Sequence, residues 1–241
     1  MSDHAGIAYL HAPGIGSVMN HRIRYNVFCG LAWAISALIA APSLASPPTT
    51  PASDAKPSDG LYRLPFADGT KVKVFDDFRT HRPTGRIDLF AIEGHEPYRV
   101  VAAAAGRIVA IQDGYDEQQS GRAAADCHNN YVWIAHANGE WTNYSHVAHG
   151  SVTQKAKLKV GDRVAAGQYI GDEDAIGCAM LKHVHFEVAM PKASDAIDAG
   201  GFLVDNEGGK REREARFCGV RGPVVKDAVL TAVACGEAAA P

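Results

Sequence analysis

Runs of like charge are missing from this 241-residue chain, whose 24 basic and 27 acidic side chains leave a formal charge of −3. A nucleic-acid partner or an acidic solvating tail has nothing to rest on. Missing too is any apolar stretch of the roughly 20 residues that a spanning helix needs; the most apolar run, Val27–Ala41, is shorter. The chain has no Cys-x-x-Cys spacing, which disfavours a zinc ribbon, no Gly-x-Ser-x-Gly elbow and no phosphate-binding glycine loop. Beyond the N-terminal run, no segment of the body carries a sustained helical stripe.

What is present begins with an export layout. Arg22 and Arg24 precede the Val27–Ala41 run, and Ser43-Leu44-Ala45 puts small residues where a signal peptidase inspects them. Residues 1–45 therefore read as a signal peptide that leaves no stable membrane anchor once cleaved, and nothing before Cys29 resembles a lipoprotein signal. Residues 46–60, rich in Pro, Ser and Thr at their start, read as a flexible linker. Cys127, Cys178, Cys218 and Cys235 remain after cleavage, an even set that suits an oxidising compartment. They allow three pairings. Cys127–Cys178 with Cys218–Cys235 is favoured, because the second pair closes a short C-terminal loop.

Residues 61–190 read as short strands and turns, hence a mainly β class, either barrel or sandwich. Arg99–Ile111 reads as two strands bent at Gly106, and Asn130–His136 and Glu140–Val147 flank the hairpin signal Asn138-Gly139. Leu158–Gly171 forms three short pieces around Gly161 and Gly167. Residues 191–241, with the charged run Lys210–Glu214, read as a C-terminal extension held by a disulfide.

Leu181-Lys182-His183-Val184-His185-Phe186-Glu187-Val188 alternates as a half-buried strand does, with Val184, Phe186 and Val188 on one face and His183, His185 and Glu187 on the other. Two imidazoles on one rigid surface suit a metal and a proton carrier. Upstream, His81 and Asp88 add an imidazole and a carboxylate, a normal zinc donor set. Thr142, Tyr144 and His146 would share a strand face. His95-Glu96 opens like a helical zinc-protease motif, but Pro97 follows and Arg99 stands where the second His belongs. The sequon at Asn143-Tyr144-Ser145 is read as chance.

In order, an upstream His with Asp88-Leu89, Val101–Val109, Tyr144-Ser145-His146-Val147, Val160–Val164 with Gly167–Gly171, and His183–Val188 resemble the lysostaphin-type, LytM-like zinc endopeptidases that cut peptide bonds in bacterial peptidoglycan. The resemblance covers roughly residues 75–190. It implies a compact, barrel-like antiparallel β fold, a duplicated hybrid motif, making 61–190 a metallopeptidase domain. It implies Zn2+ on Asp88, His185 and an upstream His, with His146 and His183 as the catalytic pair. The common family spacing puts the first ligand four residues before the Asp, where Thr84 stands here; His81, seven before, takes that role in this reading. His95, His128 and His136 compete with it, and a lost ligand at Thr84 is the other alternative. His136 is expected to face solvent, and Glu187 to support a strand edge.

The implied protein is an exported monomer, periplasmic or secreted, acting on peptidoglycan stem peptides or cross-bridges. Two rivals are kept: a degenerate wall-binding relative that activates another hydrolase, and a carrier of the lipoyl or sugar-phosphotransfer type, which shares the Val160–Gly171 look but acts inside the cell.

Overall fold

The computed structural model describes residues 55–119, 127–192, 196–204 and 211–236. The expected signal peptide and most of the expected linker lie outside them. Among the described residues twelve strands follow one another: β1 (Pro57–Tyr62), β2 (Lys71–Asp76), β3 (Ile87–Glu93), β4 (Arg99–Val101), β5 (Gly106–Gln112), β6 (Tyr131–Ala135), β7 (Trp141–Ser145), β8 (Arg163–Val164), β9 (Tyr169–Asp172), β10 (Val184–Ala189), β11 (Glu214–Phe217) and β12 (Val229–Thr231). One π-helical turn, Ser151–Lys155, interrupts them; Asp113 anchors its start by accepting the Val152 and Thr153 N–H groups. No helix among the described residues is long and apolar enough to cross a membrane.

Eight strands form one sheet in the order β12-β2-β3-β10-β7-β6-β5-β8, antiparallel at every step. Beside it stand the parallel pair β1–β11 and the antiparallel pair β4–β9. The Asn138-Gly139 turn joins β6 to β7 as expected, with Gly139 at φ 84°.

β10 takes the middle of the large sheet, and every one of its residues is buried. Its apolar face packs into the main core, where Phe186 meets Tyr144 and Phe217 at ring distances of 5.5 and 5.6 Å. Burying Phe186 alone stabilises by roughly 1.5–3 kcal/mol. The strand is therefore not half-buried: its polar face is covered as well. Glu187, expected at an edge, lies in the interior and accepts from Arg86 Nε at 3.2 Å. Asn143 is fully buried, which leaves the sequon inaccessible to a glycan.

The flanks depart from the expected boundaries. Pro57–Gly60, assigned to the linker from composition, form most of β1, because the Glu140 carboxylate accepts the Asp59 and Gly60 N–H groups at 2.7 and 2.8 Å. At the other end β11 pairs with β1 and β12 extends the large sheet beyond β2, so this part of the extension is woven into the frame. Both favoured disulfides are present, Cys127–Cys178 and Cys218–Cys235.

Candidate metal centre and active site

Strand register builds the site. His185 on β10 stands opposite Asp88 on β3 and opposite Ser145 on β7. Asp88 Oδ1 lies 3.1 Å from His185 Nδ1, 3.4 Å from His183 Nε2 and 3.4 Å from His81 Nε2. His81 arrives from the loop between β2 and β3. There Asp77 Oδ1 accepts the Arg79 and Thr80 N–H groups, both at 2.9 Å, and its Oδ2 accepts the Lys226 N–H at 2.8 Å. Gly85, at φ 107°, donates its N–H to Phe78 O and closes the loop. The chain thus folds back through Pro83-Thr84-Gly85 and delivers the imidazole to Asp88.

His146 reaches the site by a different device. Tyr144 follows the expected alternation into the core, where its hydroxyl accepts from Ala103 N–H and Thr142 Oγ1. His146 does not continue that face. Its φ of 67° places it in the left-handed region just past the end of β7, and the ring lies 4.6 Å from that of His183 and 6.0 Å from that of His185. The Asp172–Asp174 segment ties the two catalytic candidates together: Asp174 N–H donates to His146 O, and His183 N–H donates to Asp174 O.

Three rings are oriented alike. Nδ1 of His81, His146 and His183 lies 2.7–2.9 Å from the carbonyls of Pro83, Ile176 and Leu181. A carbonyl only accepts, so each Nδ1 carries the hydrogen, and in the neutral ring the Nε2 lone pair is left free. Metal-binding imidazoles are held in this way.

The donor atoms of His81, Asp88 and His185 lie within 4.8 Å of one another, as do those of His146, His183 and His185. Asp88 Oδ1 is buried and makes no aligned hydrogen bond despite its three imidazole neighbours. A buried carboxylate oxygen in that state calls for a cation. The residues present fit a metal, and the carboxylate-containing set supplies the anionic donor.

Burial and mutual charge split the titrations. Burial opposes ionisation of Asp88, but His183, His185 and His81 outweigh it and hold the carboxyl well below its usual range. Burial, with His183 and His185 close by, holds His146 well below the ordinary imidazole value. Burial pushes His185 down to about 3 against the pull of Asp88. For His81 and His183, Asp88 overcomes burial and raises them. His146 is thus a neutral base at physiological pH.

All five expected residues line one cleft of about 280 Å³, with Phe75, Arg82, Met180 and Leu181 at its rim. The competing histidines lie elsewhere. His95 is exposed. His128 packs on Tyr115 at 5.4 Å. His136 does not face solvent: its ring nitrogens meet Ala105 O and Thr142 Oγ1, both at 2.9 Å. Sequence reading overlooked Arg86, Glu173 and Phe202. Arg86 is buried on Glu187, with its guanidinium 4.0 Å from the Phe202 ring centroid. Burial raises Glu173 to about 7. No local signal marked them; the partner of Arg86, Glu187, stands 101 residues away.

Residues 83–199 match the model of peptidase family M23. Peptidoglycan DD-endopeptidase ShyC of Vibrio cholerae is 33% identical over 113 residues, covering 47% of this chain and 23% of the relative. The chain thus spans about a quarter of the length of that curated relative. Among solved structures, the deep-sea M23 metalloprotease pseudoalterin is similar at 18% identity and a TM-score of 0.40, over 61% of this chain and 75% of that one. Lysostaphin from Staphylococcus simulans is similar at 21% identity and a TM-score of 0.37, over 56% and 47%.

Proposed function

The chain belongs to peptidase family M23 through residues 83–199, and on that premise we propose that it is a zinc-dependent endopeptidase hydrolysing peptide bonds in bacterial peptidoglycan. The observation that carries the reading is the convergence of imidazoles on Asp88 Oδ1, a buried anion without an aligned hydrogen bond.

We assign His81, Asp88 and His185 to the metal and His146 and His183 to proton transfer. His183 lies as near Asp88 as His81 does, so distance alone does not divide them. Placement supports the division: His183 is ring-to-ring with His146, whereas His81 is ring-to-ring with His185 at 4.7 Å. Zinc held there would supply a Lewis acid for the scissile carbonyl and would lower the pKa of water toward ~7. His146, held neutral by burial, takes a proton at Nε2. His183, raised by Asp88, presents an Nε2–H to developing negative charge. The rim residues Phe75, Met180 and Leu181 offer apolar contact to an extended peptide. Two disulfides support action outside the cytoplasm, in line with the signal expected at residues 1–45.

Digestion of purified peptidoglycan is the test. New amine and carboxyl ends on stem peptides or cross-bridges are expected, with no new reducing sugar ends. Reducing ends without new amines would overturn the proposal. Binding of the wall without cleavage by the zinc-loaded protein would favour the degenerate relative instead.

A further inference from the structure

One more side chain reaches the site, from beyond the family match, which ends at residue 199. The loop around Asp198–Phe202 lies against the large sheet on the side of His185 and Glu187. Three buried side chains hold it through its backbone carbonyls: Trp133 Nε1 and Asn143 Nδ2 donate to Gly201 O at 2.8 and 3.1 Å, and Asn129 Nδ2 donates to Gly200 O at 2.8 Å. Within the loop, Phe202 N–H donates to Asp198 Oδ1 at 2.9 Å. Gly201 sits at φ 85°, and a Cβ there would meet the Tyr131 ring at 2.3 Å, so the approach needs glycine. Committing three buried donors to one short loop fixes where its next side chain goes.

That side chain is Phe202. Its ring centroid lies 5.0 Å from that of His185, tilted by 57°, and 4.0 Å from the Arg86 guanidinium carbon. Arg86 is itself held by Glu187. His185 directs Nδ1 at Asp88, which leaves Nε2 on the far side of the ring. Nε2 is buried and has no hydrogen-bond partner among the described residues. A metal-binding imidazole ordinarily donates its second N–H to a carboxylate, a carbonyl or water. The Phe202 ring packs beside that of His185, and the negative face of an aromatic ring accepts an N–H weakly.

We propose that Phe202 is a positioning residue for His185: its ring takes the Nε2–H, so that the Nδ1 lone pair is free for a metal held beside Asp88, and keeps water from the far side of the ligand. Arg86, anchored by Glu187, holds Phe202 in place by a cation–π contact. The inference rests on the reading of His185 as a metal ligand, and it assigns a role in the site to the segment beyond residue 199.

The test uses the full chain with Phe202→Leu, Phe202→Ala and Phe202→Tyr. Leucine preserves apolar burial without a ring, tyrosine keeps the ring, and the leucine variant decides if alanine fails to fold. Zinc-loaded protein is examined first by NMR of the histidine side chains. A slowly exchanging, ring-shifted His185 Nε2–H is expected in the parent and in Phe202→Tyr, and rapid exchange with loss of the ring shift in Phe202→Leu. Zinc competition follows: Phe202→Leu is expected to lose about 10-fold or more in affinity, the range typical of a lost outer partner, with Phe202→Tyr near the parent. Parent-like zinc affinity and an unchanged His185 signal in Phe202→Leu overturn the inference and leave the metal reading intact. A parent that binds no zinc overturns the metal reading, and a His185 ring shift that Phe202→Leu abolishes in that protein leaves the Phe202–His185 contact standing.

Discussion

Asp88 Oδ1 and His185 Nδ1 stand 3.1 Å apart because β3 and β10 pair in a register that sets the two residues opposite each other. Slipping that register by one residue would turn His185 into the core and bring Phe186 onto the polar face. The donor pair is thus as stable as the middle of the sheet, and the remaining imidazoles come to it from loops.

Zinc binding is expected to follow that division. Asp88→Ala and His185→Ala should abolish stoichiometric uptake, and His81→Ala should weaken it by about 100-fold or more. His95→Ala and His128→Ala should bind as the parent does. His136→Ala should also retain zinc but lose about 0.5–1.5 kcal/mol of stability with its two hydrogen bonds. Metal analysis and denaturant melts check both. Full zinc and full activity in His81→Ala would remove that residue from the set.

Proton transfer should separate from metal binding. His146→Ala and His183→Ala are expected to keep zinc while losing about 10²–10⁴-fold in turnover. A His146 variant purified without metal would show that the roles assigned to the two sets are wrong.

Glu173 should make stability depend on pH. Burial raises its carboxyl from an ordinary value of 4.5 to about 7, although the Ala91 N–H donates to it. The folded chain therefore holds a proton that the unfolded chain gives up between those values. The contribution is complete below pH 4.5 and is lost as pH rises through 7. Urea melts are expected to show this contribution shrinking by about 1–3 kcal/mol across that window. Glu173→Gln, neutral throughout, should flatten the slope; an unchanged slope would contradict the assignment.

The two disulfides should differ in what they support. Each closes a loop and should contribute roughly 2–4 kcal/mol. Cys127–Cys178 also tethers the segment whose Ile176 carbonyl orients His146. The double variant Cys127→Ser/Cys178→Ser should lose turnover as well as melting temperature. Cys218→Ser/Cys235→Ser should lose melting temperature alone. Thiol titration of the denatured, unreduced parent should find none of the four cysteines free.

Much of this site was legible because it obeys local rules. Alternation along 183–188 put His183 and His185 on one side, and a Pro-Gly turn before Asp88 signalled that His81 could return to it. Alternation failed at His146, since a left-handed backbone at a non-glycine residue leaves no mark in composition. Arg86, Glu173 and Phe202 escaped for another reason. Their importance comes from partners far along the chain, such as Glu187 for Arg86, 101 residues away. Composition likewise marked Pro57–Gly60 as linker, because the carboxylate that orders them belongs to Glu140, about 80 residues on.

The parallel pairing of β1 with β11 bears on how the chain is made. Arg216 N–H donates to Ser58 Oγ across a separation of 158 residues. β1 has no strand partner until β11, some 158 residues on, has been made. Contacts of such long range form slowly. The large sheet can begin to assemble from its hairpins, but the β1–β11 pair beside it closes only after β11 has been made. The proposed export calls for a chain that stays open until it has crossed, and a pairing this late along the chain meets that need.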